Sequence, residues 1–262
     1  MRCSYGVRGW LLDALRDIFN AFVKIDLFMS YTFAKADKIY VKTPESKRII
    51  PKKFWPKTKV LLEIGIEKNK CYISSMQPLN EAMPFRVLFV GRFIYWKGMH
   101  LGIRAFAHLV EKVPCARLTM VGKGSDAGRW RNLSKKIGVD AHVEWIPWMP
   151  QDELLQVYSQ HDVFLFPSLH DSSGNVVLEA MAHGLPVVCL DLGGPGVMVN
   201  ETCGRVVETK GMSERKVSQA LGDALVELSF DSELYSDLKK GALMRSKEYL
   251  WCHVVGRAVK NL

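Results

Sequence analysis

No two of the six cysteines form a C-x-x-C pair: Cys3, Cys71, Cys115, Cys189, Cys203 and Cys252 are scattered singly along 262 residues. This argues against the zinc and dithiol redox sites that use such pairs and fits reduced thiols, buried as small hydrophobes, in a cytosolic protein. No uninterrupted apolar run is long enough to cross a bilayer. Near the N-terminus the apolar stretches are broken by Asp13, Arg16, Asp17 and Lys24, and neither a signal-peptide h-region nor a small-residue cleavage site is found. Internal repeats, low-complexity tracts and the biased compositions of fibrous or disordered chains are also missing.

What remains is a globular composition, 48% hydrophobic and 24% charged, enough for one large domain or two small ones. The net charge of +9 is uneven. Residues 1–80 hold 15 Lys and Arg against 7 Asp and Glu, whereas residues 81–262 hold 21 against 20. A basic N-terminal region suits an acidic partner, either an anionic membrane surface or a phosphorylated acceptor; a merely solvated basic surface is the plainer alternative, since no Lys/Arg block forms a tail.

From Phe85 onward short apolar runs alternate with amphipathic segments, the pattern of an α/β domain whose parallel sheet is covered by helices on both faces. Strands are expected at Arg86–Val90, Ala116–Val121, Val143–Ile146, Val163–Phe166, Pro186–Leu190 and Gly204–Val207. Helices are expected from Met99 to Val110 and near Arg129–Ile137, Asp152–Tyr158, Val176–Ala182, Glu214–Leu228 and Ser232–Tyr249. Upstream, residues 10–28 carry Trp10, Ala14, Leu15, Ile18, Phe22 and Ile25 at amphipathic-helix spacing, with short strands at Lys38–Val41 and Lys59–Ile64. The stretch Cys71–Pro84 reads as a linker, which divides the chain into residues 1–80 and a Rossmann-like domain of residues 81–262.

The chemistry-bearing residues lie on loops after the expected parallel strands, the edge where open α/β sheets bind ligands. Gly91-Arg92-Phe93-Ile94-Tyr95-Trp96-Lys97-Gly98 places two cations among glycines ahead of a helix, an arrangement suited to a diphosphate although common on surfaces. Gly122-Lys123-Gly124-Ser125 is first of all a tight turn; with Gly128 it misses the dinucleotide fingerprint by one residue. Asp171 stands on the loop after Phe166, and Glu179 lies eight positions on, inside the helix that starts near Asn175. Both carboxylates can reach a ligand lying over the N-terminus of that helix, where free N–H groups favour phosphate and carboxylates favour sugar hydroxyls. Taken singly, Asp171 reads as a capping or turn residue and Glu179 as an exposed helix residue.

The segment from Phe166 to Val188 resembles the E-x7-E region of family 4 retaining glycosyltransferases, which have the two-domain GT-B fold; Asp171 stands where the first glutamate is usual. The resemblance extends in order through Val90–Gly98, Val121–Gly124, Asp162–Ser168 and Leu192–Gly196. It implies that Arg92 and Lys97 bind the donor diphosphate, that Glu179 holds the ribose hydroxyls and that Asp171 contacts the transferred sugar. It further implies that Gly91, Gly122 and the backbone of Gly174, Asn175, Val176 and Val177 line the donor, and that the Trp148-Met149-Pro150 stretch flanks the nucleobase. The Asp for Glu exchange at 171 puts the sugar preference in doubt.

The implied reaction is transfer of a hexose with retention, from a nucleotide-sugar to a polysaccharide or glycolipid acceptor at the cytoplasmic membrane face. Arg92, Lys97 and the helix N-terminus would stabilise the leaving diphosphate in place of a metal, so neither a metal nor a cofactor is expected. No Asp-x-Asp occurs, which sets the chain apart from the metal-dependent GT-A class. Lys38–Glu45 and Leu62–Glu67 resemble the last strands of the family's acceptor-side domain, and no histidine precedes His100 where the family places one in the active site. The alternative is therefore a truncated nucleotide-sugar-binding module impaired in transfer. Nucleic acid is not an expected partner.

Overall fold

The computed structural model describes residues 26–68 and 83–260, with isolated helical positions between 11 and 22. The chain divides into two compact units, residues 1–63 with 255–262 and residues 64–254.

In the first unit, helix α1 (Leu27–Lys35) is capped by Asp26, whose Oδ1 accepts from the amides of Phe28 at 2.8 Å and Met29 at 3.2 Å. Strand β1 (Ile39–Val41), a helical turn α2 (Pro44–Lys47) and strand β2 (Thr58–Val60) follow, the two strands parallel with Ile39 opposite Thr58. Ile39, Ile50 and Phe54 form a small core against Phe33, Ala36, Val41 and Trp55. The strand expected to run to Ile64 stops at Val60. Its partner β1 ends at Val41, whose carbonyl accepts from the Leu61 amide at 2.8 Å, so nothing is left to pair with. Within the expected helix over 10–28, positions 11, 14, 15, 18, 19, 21 and 22 are helical, while Trp10 and Ile25 lie outside the described residues. The helix α1 was not foreseen, because LFMSYTFAK has no 3.6-residue apolar period.

The second unit contains strands β3 (Arg86–Val90), β4 (Arg117–Val121), β5 (Val143–Ile146), β6 (Val163–Phe166), β7 (Val187–Leu190) and β8 (Gly204–Val207). All pair in parallel in the order β5-β4-β3-β6-β7-β8. Val163 to Phe166 and Val187 to Leu190 are buried throughout, which is why these strands read as unbroken apolar runs rather than alternating ones. Between the strands run α3 (Met99–Lys112), α4 (Ala127–Lys136), α5 (Gln151–Ser159), α6 (Asn175–Ala182) and α7 (Gly193–Met198), and after β8 come α8 (Glu214–Phe230), α9 (Ser232–Lys247) and α10 (Trp251–Lys260), of which residues 255–260 belong to the first unit. Successive strands step one way from β3 to β5 and the other way from β6 to β8. Right-handed crossovers therefore put α3 and α4 on one face and α5 and α6 on the other. The order reverses between β3 and β6, so the helices that follow these two neighbours lie on opposite faces of the sheet, the place where open α/β sheets form a crevice at the C-terminal strand ends.

The helix expected over Ser232–Tyr249 ends at Lys247, because Ile66 captures the chain beyond it: its amide donates to the Tyr249 carbonyl at 2.9 Å and its carbonyl accepts from the Trp251 amide at 3.2 Å. A separate helix, α10, then starts. Most of the expected linker at Cys71–Pro84 lies outside the described residues.

Candidate functional site at the strand-order reversal

The loops after β3 and β6 meet through one carbonyl. Trp96 O accepts from the Leu169 amide at 2.8 Å and from Ser168 Oγ at 3.1 Å, which fixes the next residue, Lys97, beside the loop that carries Asp171. Lys97 Nζ donates to Asp171 Oδ2 and lies 4.9 Å from the centroid of the Phe166 ring. Both side chains of this pair are only about one-sixth exposed, at 16% and 17%. Asp171 Oδ1 accepts from the amides of Gly174 at 2.9 Å and Ser173 at 3.2 Å, so the carboxylate also shapes the turn that launches α6. The capping reading and the ligand reading of Asp171 thus concern different oxygens. The α7 segment locks this turn from behind, with the Gly194 amide donating to Asp171 O at 2.8 Å.

Arg92, one residue past Gly91 at the end of β3, is exposed and has no ion-pair partner among the described residues. Gly91 itself is held by its amide to Val121 O at 3.0 Å. Gly122, at the end of β4, is a packing glycine: a Cβ there would sit 2.0 Å from the Gly91 carbonyl oxygen, so only glycine lets the two strand-end loops touch. At the start of α6, Gly174 has φ +78° and forms the N-cap, and the amides of Asn175 and Val176 belong to the first turn, where no intrahelical acceptor exists. Val177 is already turned inward, its amide bonded to Gly174 O at 2.9 Å. Met149 is half-buried on the loop between β5 and α5.

Glu179 is half-buried on α6, just over one turn below its N-terminus, and both its carboxylate oxygens have protein donors. Tyr158 Oη donates to Oε2 at 3.0 Å and Gln151 Nε2 to Oε1 at 3.2 Å, both from α5. Tyr158 is fully buried, and burial with the adjacent Glu179 charge pushes its phenol well above the usual range, so it stays a neutral O–H donor. Sequence reasoning missed Tyr158, Gln151 and Trp96, along with Asp126, a buried carboxylate that accepts from the Tyr95 amide at 2.9 Å and steadies the loop after β3. The only available signal was a tyrosine seven residues after a glutamine on one amphipathic helix. Two further concavities, of about 550 Å³ between α3 and α8 and about 890 Å³ around Asn200 and Arg205, are lined by none of the residues expected in the site.

Residues 74–243, more than half of the chain, match the description glycosyl transferases group 1. The chain belongs to this family. A D-inositol 3-phosphate glycosyltransferase from Corynebacterium aurimucosum is 31% identical over 172 residues, covering 63% of this chain and 39% of the relative. A glycosyltransferase of Methanocaldococcus jannaschii is 37% identical over 108 residues, which is 41% of this chain and 27% of that protein. The group 1 chain thus spans about two fifths or less of the length of these relatives. Among solved structures, Anabaena HepE in complex with UDP and glucose has a TM-score of 0.67 at 20% identity, covering 87% of this chain and 64% of its own. WaaG, a glycosyltransferase involved in lipopolysaccharide biosynthesis, has a TM-score of 0.66 at 21% identity, with 84% and 61% covered. These likenesses establish the GT-B type of fold for the group 1 chain.

Proposed function

We propose that the chain is the donor-binding part of a retaining hexosyltransferase that moves a hexose from a nucleotide-sugar to a polysaccharide or glycolipid acceptor. The observation that carries this reading is that, at the β3/β6 reversal, Lys97 of the loop after β3, which also carries Arg92, bonds Asp171 at the turn that launches α6, the helix on which Glu179 follows eight residues on. In this reading Arg92, Lys97 and the α6 amides bind the diphosphate, whose negative charge grows as the sugar leaves, and fixed donors at that point would lower the barrier in place of a metal. The Asp171 carboxylate, bonded to Lys97, contacts the transferred sugar in the same reading. Glu179, whose carboxylate accepts from the neutral donors Tyr158 and Gln151, suits neutral hydroxyls such as those of ribose.

UDP is the first ligand to test, since HepE was solved with UDP and glucose. Thermal-shift measurements with UDP, GDP, ADP and their hexose conjugates should show one nucleotide series raising Tm, because a ligand that binds only the folded state stabilises it by mass action. Arg92→Ala should abolish most of that shift, with a loss of roughly 1.5–3 kcal/mol in binding and little change in the Tm of the free protein, since Arg92 is exposed. No shift with any nucleotide would overturn the donor-site reading.

The same proposal places the protein peripherally on the cytoplasmic face of a membrane. Among the described residues no helix is long and apolar enough to span a bilayer. Yet Leu11, Leu15, Ile18, Phe19, Phe22, Leu27, Phe28 and Tyr31 are each more than half exposed within the strongly basic N-terminal region. Apolar area beside positive charge suits an anionic lipid surface, where the two attractions act together. Sedimentation with vesicles rich in phosphatidylglycerol is expected at low salt. It should weaken at high salt, on deletion of residues 1–30 and in the double variant Leu27→Glu, Phe28→Glu, while nucleotide binding persists. Failure to sediment at low salt, where screening is least, would leave this surface to a phosphorylated acceptor or another polypeptide.

A further inference from the structure

We propose that Tyr158 and Gln151 are positioning residues that aim the Glu179 carboxylate, so that one helix, α5, sets the ribose-binding group of the donor site. The inference rests on the reading of Glu179 as the ribose ligand. The two residues are seven apart on α5, two turns of one face, and they take one oxygen each of the same carboxylate, at 3.0 and 3.2 Å. Tyr158 cannot swing away. Its ring is wholly buried, stacked on His183 with centroids 5.3 Å apart and an interplanar angle of 26°, and tilted against Phe164 at 5.9 Å. His183 in turn bonds through Nδ1 to the backbone carbonyl of Glu179 at 2.8 Å, so the same aromatic stack grips both ends of that residue.

A carboxylate oxygen has more than one acceptor direction, so an oxygen that takes a protein donor can also accept from a ligand hydroxyl. Because each oxygen is tethered to α5, the carboxylate is fixed in space before the ligand arrives, and little rotamer entropy remains to be lost on binding. The helix that supplies both tethers begins directly after Trp148-Met149-Pro150, so the loop expected beside the nucleobase leads straight into the support of the ribose carboxylate.

The test is calorimetric titration of the full chain with three probes: UDP, 2′,3′-dideoxy-UDP and inorganic pyrophosphate. The wild type is expected to prefer UDP to the dideoxy compound by about tenfold, the scale of a hydrogen bond to a charged acceptor. Tyr158→Phe, which keeps the ring and removes only the hydroxyl, should lower UDP affinity by about fivefold to tenfold, shrink the ribose preference to about twofold and leave pyrophosphate unchanged. Gln151→Ala, a more exposed site, should shrink the preference in the same direction and covers the case in which the tyrosine variant folds poorly. Equal losses for all three probes would assign Tyr158 a structural role only and overturn the proposal. Glu179→Ala separates the premise from the inference. Should that variant keep the ribose preference, the reading of Glu179 falls and the proposal with it. If it erases the preference while both α5 variants retain it, Glu179 is the ribose ligand but needs no positioning by α5.

Discussion

Lys97→Ala is expected to weaken UDP binding by on the order of 3 kcal/mol, more than Arg92→Ala, and part of that loss should return when Asp171 is also changed to alanine. Lys97 and Asp171 are bonded to each other in the crevice and only about one-sixth exposed. Removing the lysine therefore does two things. It deletes a cation from the diphosphate position, and it leaves a partly desolvated carboxylate unpaired where an anionic ligand must enter. The Asp171→Ala exchange relieves the second effect and not the first, so the double variant should bind UDP more tightly than Lys97→Ala alone yet less tightly than the wild type. Calorimetry on the four proteins of this cycle gives the coupling directly. Strict additivity would mean that the pair has separated before the ligand binds and that the two groups act independently. Arg92 lacks such a partner among the described residues and serves as the additive reference.

Why the donor side of this molecule was legible and the remainder less so follows from how each part is built. Strands β3, β5, β6 and β8 were readable to the residue: β3 and β6 because two-sided burial forces a nearly unbroken apolar run, and the edge strands β5 and β8, which carry Glu144 and Arg205, because short β-branched or aromatic runs alternate with helices that carry an apolar stripe. The placement of Arg92, Lys97 and Asp171 at one edge was likewise legible, since parallel strands all end at the same side. What could not be read was the pairing. That Lys97 bonds Asp171, 74 positions away, depends on Trp96 O joining two loops, and no local pattern records that bond. Tyr158 was hidden for a related reason: an aromatic residue on the buried face of a helix looks the same whether its hydroxyl has a partner or not. The first unit was least legible because its described elements between residues 26 and 63 are three to nine residues long, too short for a period to show. Its helix α1 is set by the Asp26 cap rather than by an apolar stripe.

Gly193→Ala should be among the most damaging single changes near the site, costing on the order of 3 kcal/mol of stability and lowering UDP affinity about tenfold or more. Gly193 has φ +63°, and a Cβ there would lie 2.0 Å from the Asp171 carbonyl oxygen and 3.0 Å from its carbon. The left-handed conformation alone accounts for about 1–2 kcal/mol with a side chain present. The overlap is worse, because the obstructing atom is backbone and already accepts from the Gly194 amide at 2.8 Å. Relief requires the α7 segment to withdraw from the loop, which frees the turn that holds the Asp171 carboxylate against the Ser173 and Gly174 amides. Gly211→Ala isolates the conformational part: φ there is +74°, but nothing lies within 4 Å of the added carbon, so about 1–2 kcal/mol of stability should be lost with nucleotide affinity intact. Denaturant titration and calorimetry of both variants decide the matter. Equal stability losses with undiminished UDP binding in Gly193→Ala would show that the loop can yield, and that its close approach to α7 does not hold Asp171 in place.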